Sequence, residues 1–262
     1  NDYEVWQRHP EIGAINMLHS NGTLNEHTDR YAELTIPEAR QRVVDDLEQL
    51  GLLVEIEDRE IDLAHSDRSK TPIEPYLADQ WFVAMDELSQ SAIDAVEGGR
   101  VRILPSRYSK GYLDWLGEKR DWPVSRQLWW GHQIPAYYFG DGTNDFVVAE
   151  TLEDAVQKAQ EKTGNSSLTA EDLTQDKDAL DTWFSSWLWP MSVFNGILEP
   201  ENDEINYYYP TNDLVTAPEI LFFWVARMII AGYEYRGERP FRNGYLTGIV
   251  RDKQRRKMSK SL

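Results

Sequence analysis

Asp213-Leu214-Val215-Thr216-Ala217-Pro218-Glu219 runs directly into Ile220-Leu221-Phe222-Phe223-Trp224-Val225-Ala226-Arg227-Met228-Ile229-Ile230-Ala231. After a turn the chain continues with Tyr245-Leu246-Thr247-Gly248-Ile249-Val250. The first segment, Asp213 to Val215, reads as a strand. Thr216, Pro218 and Glu219 have the spacing of a helix start: a cap, a proline in the first turn and an acid three after the cap. Pro218 to Ala231 is apolar nearly all round, as in a buried helix. Tyr245 to Val250 reads as a second strand. Strand, helix, strand predicts a parallel crossover and an α/β fold. In such sheets ligands sit at the carboxyl ends of strands, against helix N-termini.

Three segments at that end could carry chemistry. Glu219 either closes a capping box with Thr216 or accepts hydrogen bonds from ribose hydroxyls. Gly248-Ile249-Val250 is either a buried strand or a strand end whose backbone meets an adenine edge. The third segment is the terminal Lys257-Met258-Ser259-Lys260-Ser261-Leu262. Two lysines three apart among small residues can grip a polyphosphate, because lysine is a flexible point charge with three donors. Phosphoryl chemistry needs little more than positioning and charge neutralisation. A solvated basic tail is the alternative. A chain that stops directly after such a loop reads as a fragment.

Working outward, residues 1–60 read as the end of an α/β module. Thr35-Ile36-Pro37-Glu38 is a helix start, Ala39, Val43, Leu47 and Leu50 recur at helical spacing, and Gly51 is a stop. Leu52 to Ile56 reads as a strand. Pro72 and Pro75 mark a connector, with a domain boundary near residue 70. Helices are predicted over Met85 to Val96, Lys110 to Arg120 and Thr151 to Thr163, and a strand over Arg102 to Leu104. Residues 140–177 read as a small insertion with a polar loop over Asn165 to Asp176. A core-like segment then surrounds Leu180 to Phe184.

Composition bounds the possibilities. The chain has 262 residues, 41% hydrophobic and 27% charged, with no cysteine. This is a globular composition of one or two domains. A disulfide framework and a thiolate zinc site are excluded within these residues, and no zinc is expected. No apolar run approaches the roughly 20 residues of a membrane span, and no secretory signal opens the chain, so the cytoplasm is the expected compartment. The net charge of −18 argues against a broad nucleic-acid-binding surface. Between Arg251 and Lys260, however, six basic residues face one acid, Asp252, which suggests a phosphate ligand met at one place.

Lys257-Met258-Ser259-Lys260-Ser261 matches the second signature of class I aminoacyl-tRNA synthetases at all five positions. Four further blocks resemble the valyl branch of that family. They are Tyr76-Leu77-Ala78-Asp79-Gln80-Trp81-Phe82-Val83, Ser125-Arg126-Gln127-Leu128-Trp129-Trp130-Gly131-His132-Gln133-Ile134-Pro135, Asp181-Thr182-Trp183-Phe184-Ser185-Ser186, and Phe222-Phe223-Trp224-Val225-Ala226-Arg227-Met228. Asn1-Asp2-Tyr3-Glu4 resembles part of an editing-domain motif. The resemblance is collinear over essentially the whole chain.

It implies the second half of a class I Rossmann-like nucleotide-binding fold over 71–262. Residues 1–70 would be the end of an inserted α/β editing domain and its connector. The implied substrates are ATP with Mg2+, L-valine and tRNA(Val); the oligomeric state stays open. Lys260, assisted by Lys257, would hold the phosphates as charge develops, with Ser259 allowing close approach. Glu219 and the backbone at Thr216 and Ala217 would meet the ribose, and Gly248, Ile249 and Val250 the adenine. Trp183, Ile220 and Trp224 would line the valine pocket, with aromatic core as their alternative. A valine pocket cannot strongly reject threonine, an isostere with a hydroxyl, so such enzymes edit. Asp2 would anchor the ammonium group of the edited substrate.

The sequence also departs from the family pattern. None of His9, His19, His27, His65 and His132 forms the His-x-Gly-His signature. Ala217-Pro218 replaces the more usual Gly-Phe, and Trp187 stands where a small residue is common. The fragment alone is therefore expected to be inactive, with its terminal loop disordered and idle. An isoleucyl- or leucyl-type synthetase is the nearest alternative. A non-catalytic acidic module whose basic tail contacts RNA is another, and the lack of an initiating Met speaks against it.

Overall fold

The computed structural model describes residues 2–66, 69–118, 120–142 and 144–258. The chain divides into two compact units, Asn1–Asp79 and Gln80–Leu262.

The first unit holds α1 (Asp2–Arg8) and α2 (Ile36–Gln49). The Thr35 hydroxyl receives the Glu38 amide and the Glu38 carboxylate receives the Thr35 amide, the capping box that the sequence predicts. Gly51 follows in a left-handed conformation, φ 68°. Of the predicted apolar stripe, only Ala39 is buried, while Val43, Leu47 and Leu50 stay exposed. The strand expected over Leu52 to Ile56 is not formed. That segment finds no ladder partner among the described residues, and Val54 is 97% exposed.

The second unit contains, in chain order, β1 (Phe82–Val83), α3 (Met85–Glu97), β2 (Arg102–Leu104), α4 (Arg107–Gly117), β3 (Trp122–Pro123) and β4 (Ser125–Arg126). Next come β5 (Ala136–Tyr138), β6 (Phe146–Val148), α5 (Leu152–Thr163), β7 (Thr174–Gln175) and β8 (Ala179–Leu180). The unit closes with α6 (Thr182–Ser186), α7 (Trp189–Ser192), α8 (Asp203–Tyr208), β9 (Thr211–Thr216), α9 (Ala226–Arg236) and β10 (Phe241–Leu246). It is an α/β unit built on a parallel sheet of order β2-β10-β9. A polar ladder pins the register: Arg102 Nε donates to Asn243 Oδ1 at 2.8 Å, and Asn243 Nδ2 donates to Asp213 Oδ1 at 2.7 Å. Among the described residues, no helix is long and apolar enough to cross a membrane.

The crossover from β9 to β10 is the one predicted, but its helix has three parts. Pro218–Ile220 is a 3-10 turn, Leu221–Val225 is a π turn, and only Ala226 onward is α-helical. The α-helical part is buried from Ala226 to Gly232. A Cβ on Gly232 would stand 2.7 Å from Tyr209 Oη and 2.8 Å from Pro240 Cδ, so glycine lets this helix approach the start of β10. A Cβ on Gly244, in the central strand, would stand 3.4 Å from Ile103 Cδ1 and 3.6 Å from Val225 Cγ1.

Several predicted boundaries move. β10 runs from Phe241 to Leu246 rather than Tyr245 to Val250. Its partner β9 leaves the sheet at Ala217, so the ladder ends where Thr247 donates to the Thr216 carbonyl at 2.9 Å. α4 begins three residues before the predicted Lys110, after a turn in which the Tyr108 amide donates to the Pro105 carbonyl. The predicted polar loop over Asn165 to Asp176 contains a 3-10 turn, Ala170–Asp172, and β7. β5, β6 and β7 form a small antiparallel sheet under α5, whose Ala155 and Ala159 are buried with Tyr137, Val147 and Leu173 in a separate core.

Candidate active site

The carboxyl ends of β9 and β10 bring together most of the residues singled out in the sequence. Thr216 is the last residue of β9, and Ala217, not Thr216, occupies the cap position of the following turn. No side chain caps that turn, so the capping-box reading of Glu219 fails. The geometry explains it: Thr216 is still paired in the sheet, opposite Leu246. The Glu219 carboxylate turns instead to Arg251, with Oε1 3.1 Å from Nη2.

Gly248, Ile249 and Val250 leave the sheet past the end of β10 and enter a hairpin. Arg251 bridges to Lys257, the Asp252 amide donates to the Arg256 carbonyl, and the Met258 amide donates to the Val250 carbonyl. Asp252 closes the turn by accepting from the Arg256 amide at 2.8 Å and from Arg256 Nε at 2.6 Å. Arg255 takes a positive φ of 66° at the tip. The terminal loop expected to be disordered, Lys257 to Ser261, lies for the most part outside the described residues; the turn before it is closed by the one internal acid, Asp252. Lys257 is exposed on the returning strand of the hairpin. Ser259 and Lys260 lie outside the described residues.

The aromatic candidates form a second group. Trp183 sits on α6, and its ring stacks on Phe223 with centroids 6.0 Å apart and planes at 22°. Trp224 Nε1 donates to the Ser186 carbonyl at the end of α6, 3.0 Å away. Ile220 ends the 3-10 turn that begins at Pro218. All three are partly buried, neither sealed in the core nor fully in solvent. Asp2 opens α1 in the other unit, and its side chain lies outside the described residues.

The sequence assigns Asp181 no role of its own and counts Arg251 only among the six basic residues that suggest a phosphate ligand. Asp181 is buried; its Oδ2 accepts from Trp122 Nε1 at 2.9 Å and lies 3.0 Å from Arg126 Nη2 and 3.7 Å from Arg227 Nη1. The Arg227 guanidinium lies 3.5 Å from the centroid of the Trp122 ring. Burial pushes its pKa down to about 10, against the opposing pull of Asp181. Among the described residues, no group of three or more His, Asp or Glu side chains could hold a metal ion.

The family profile described as tRNA synthetases class I (I, L, M and V) matches residues 18–262. The chain belongs to that family. Among its relatives is a valine–tRNA ligase of Christiangramia forsetii, 61% identical over all 262 residues. The valine–tRNA ligases of Porphyromonas gingivalis and Rhodopirellula baltica are 55% and 48% identical, again over the whole chain. The chain spans 30% of the length of the first two relatives and 28% of the third. At the ends of β9 and β10 lie Thr216 to Glu219 and Gly248 to Val250, the segments for which the sequence raises the expectation of nucleotide contacts.

Proposed function

We propose that this chain is a portion of a valine–tRNA ligase and supplies one half of the site that joins valine to ATP. The observation that carries the reading is the convergence at the carboxyl end of the parallel sheet. Thr216, Ala217 and Glu219 follow one parallel strand, and Gly248 to Val250 and the basic hairpin follow its neighbour. The extensive identity to valine–tRNA ligases supports valine rather than isoleucine or leucine as the substrate.

In this reading the ribose lies against the turn after β9, with Glu219 accepting from its hydroxyls. The adenine meets the backbone of Gly248, Ile249 and Val250. Those residues lie past the end of the ladder, and of their polar groups the Val250 carbonyl is already taken by the Met258 amide, which leaves the backbone of Gly248 and Ile249 and the Val250 amide for the adenine edge. Lys257 and Lys260, with Ser259 beside them, hold the triphosphate while the valine carboxylate attacks the α-phosphate and pyrophosphate departs. Their positive charges offset the negative charge that builds on the leaving oxygens. Mg2+ would arrive on the nucleotide. Trp183, Ile220 and Trp224 form an apolar wall for the isopropyl group, and the valyl group passes to tRNA(Val).

Residues 71–262 are then the later half of the Rossmann-like catalytic domain, and residues 1–70, with Asp2, the end of the editing domain. The experiment is ATP–pyrophosphate exchange with the full-length protein and with the 262-residue chain. Exchange by the full-length protein with valine, and none by the 262-residue chain, is the expected result. Exchange that depends on isoleucine or leucine instead of valine overturns the substrate assignment. Valine-dependent exchange by the 262-residue chain alone overturns the half-site assignment.

A further inference from the structure

α6 has five residues, too few to hold its own conformation, since a short helix gains little from its own hydrogen bonds. Its orientation is set from outside, at both ends. At the start, Asp181 Oδ1 accepts from the Trp183 amide at 3.3 Å. At the end, the Ser186 carbonyl accepts from Trp224 Nε1. Both tryptophans of the candidate amino-acid pocket therefore depend on this one turn: Trp183 rides on it, and Trp224 is bonded to its last residue.

Asp181 is itself held from three directions. Its Oδ2 takes the Trp122 indole N–H from β3 and lies 3.0 Å from the Arg126 guanidinium of β4, while Arg227 approaches from α9. Its own amide donates to the Val124 carbonyl at 2.8 Å. A buried carboxylate is tolerated only when its lone pairs are filled and its charge is matched. Here both conditions are met by groups on elements that do not touch α6 in sequence. One oxygen is fixed by the scaffold, and the other points at the amide of Trp183. The orientation of the scaffold is thereby transmitted to the pocket wall.

We propose that Asp181 is a positioning residue for the amino-acid pocket, fixing Trp183, and through α6 the anchor of Trp224, in the geometry that receives the substrate's aliphatic side chain. This rests on the valine-activating function proposed above. Asp181 meets neither valine nor ATP in this scheme. It acts through the turn it caps.

The test is Asp181→Asn in the full-length protein, read by ATP–pyrophosphate exchange with KM measured for each substrate. Asparagine keeps the size and one acceptor oxygen but sets an N–H2 group against the Trp122 and Arg126 donors, or against the Trp183 amide. The expected result is a KM for valine raised about 10-fold, the scale on which an apolar pocket registers a misplaced methylene, with the KM for ATP unchanged. Trp122→Phe removes one donor to the carboxylate and keeps the ring under Arg227. It is expected to shift the valine KM the same way by roughly 3-fold, less than Asp181→Asn, because Arg126 and Arg227 still hold the carboxylate. It decides the matter if Asp181→Asn fails to fold. A folded variant with an unchanged valine KM, or one in which both KM values rise together, overturns the positioning role. Absence of valine-dependent exchange in the unmodified protein is a separate outcome: it overturns the proposed function and this inference with it.

Discussion

Arg251 and Glu219 are thirty-two residues apart in sequence and 3.1 Å apart in the fold, so the basic hairpin is tied to the turn that follows β9. Arg251 also donates from Nη1 to the Arg255 carbonyl, so one guanidinium holds both the tip of the hairpin and the carboxylate across from it. A half-exposed ion pair of this kind contributes only ~0.2–1 kcal/mol. Glu219→Ala should therefore raise the tryptic cleavage rate at Arg255, Arg256 and Lys257 of the 262-residue chain by roughly 1.5- to 5-fold, the Boltzmann equivalent of that energy. High salt should speed cleavage of the unmodified chain in the same direction. Equal rates for the two chains would mean that the pair does not anchor the hairpin.

Lys260 is the residue on which the proposed chemistry leans most. Replacing it with alanine in the full-length protein should slow adenylate formation by ~10²–10³, the effect of losing one preorganised group that stabilises developing charge. Single-turnover formation of the adenylate is the measurement, because it separates chemistry from product release. A rate equal to that of the unmodified protein would remove Lys260 from the mechanism.

Gly232 lies where α9 crosses the start of β10, and a Cβ there would stand under 3 Å from Tyr209 Oη, Pro240 Cδ and the Glu238 carbonyl. Two of these neighbours are a proline ring and a backbone oxygen, which cannot swing aside as a flexible side chain would. Gly232→Ala should destabilise the chain by ~1–3 kcal/mol, the usual penalty for overpacking a close contact. Urea unfolding gives the number, and no change in midpoint would show that the helix can shift freely.

The phenol of Tyr112 is buried and donates to the Ala92 carbonyl at 3.2 Å. Burial pushes its pKa well up, with a smaller push from Tyr233, and burial does the same for Tyr209. A group whose folded pKa is raised contributes stability that is whole below its unfolded pKa of about 10 and is lost as the pH climbs further. Arg227 works the other way over the same range, because its folded pKa is lowered to about 10. Two raised tyrosines outweigh one arginine, so stability should fall above about pH 10. Tyr112→Phe should cost about 1 kcal/mol at neutral pH for the lost hydrogen bond and make the alkaline decline shallower. Unfolding free energies measured between about pH 9 and about pH 11 test the sign.

Local chemistry written in consecutive residues is legible in the sequence. Thr35 and Glu38 announce a capping box and form one, because both partners lie within one helical turn. The β9 to β10 crossover is readable for a similar reason: a strand, a buried apolar helix and a second strand leave a parallel pairing as the economical arrangement. The terminal motif and the upstream blocks name the family, since side-chain identities at fixed spacing are what that chemistry selects.

What the sequence could not carry are relations between residues far apart along the chain. Thr216 and Glu219 have capping-box spacing too, yet no box forms, because pairing with Leu246 holds Thr216 in the sheet and Arg251 draws Glu219 away. Leu52 to Ile56 reads as a strand but has no ladder partner among the described residues, and a strand exists only through its neighbour's hydrogen bonds. Asp181 looks like one more acid until Trp122, Arg126 and Arg227 converge on it from β3, β4 and α9. The sequence by itself determined the helix signals, the crossover and the family. Only the tertiary structure decided where the strands stop, which partner each carboxylate takes and what holds the turn that bears Trp183. The first set depends on neighbours within a turn or two; the second depends on distances that exist only after the chain has packed.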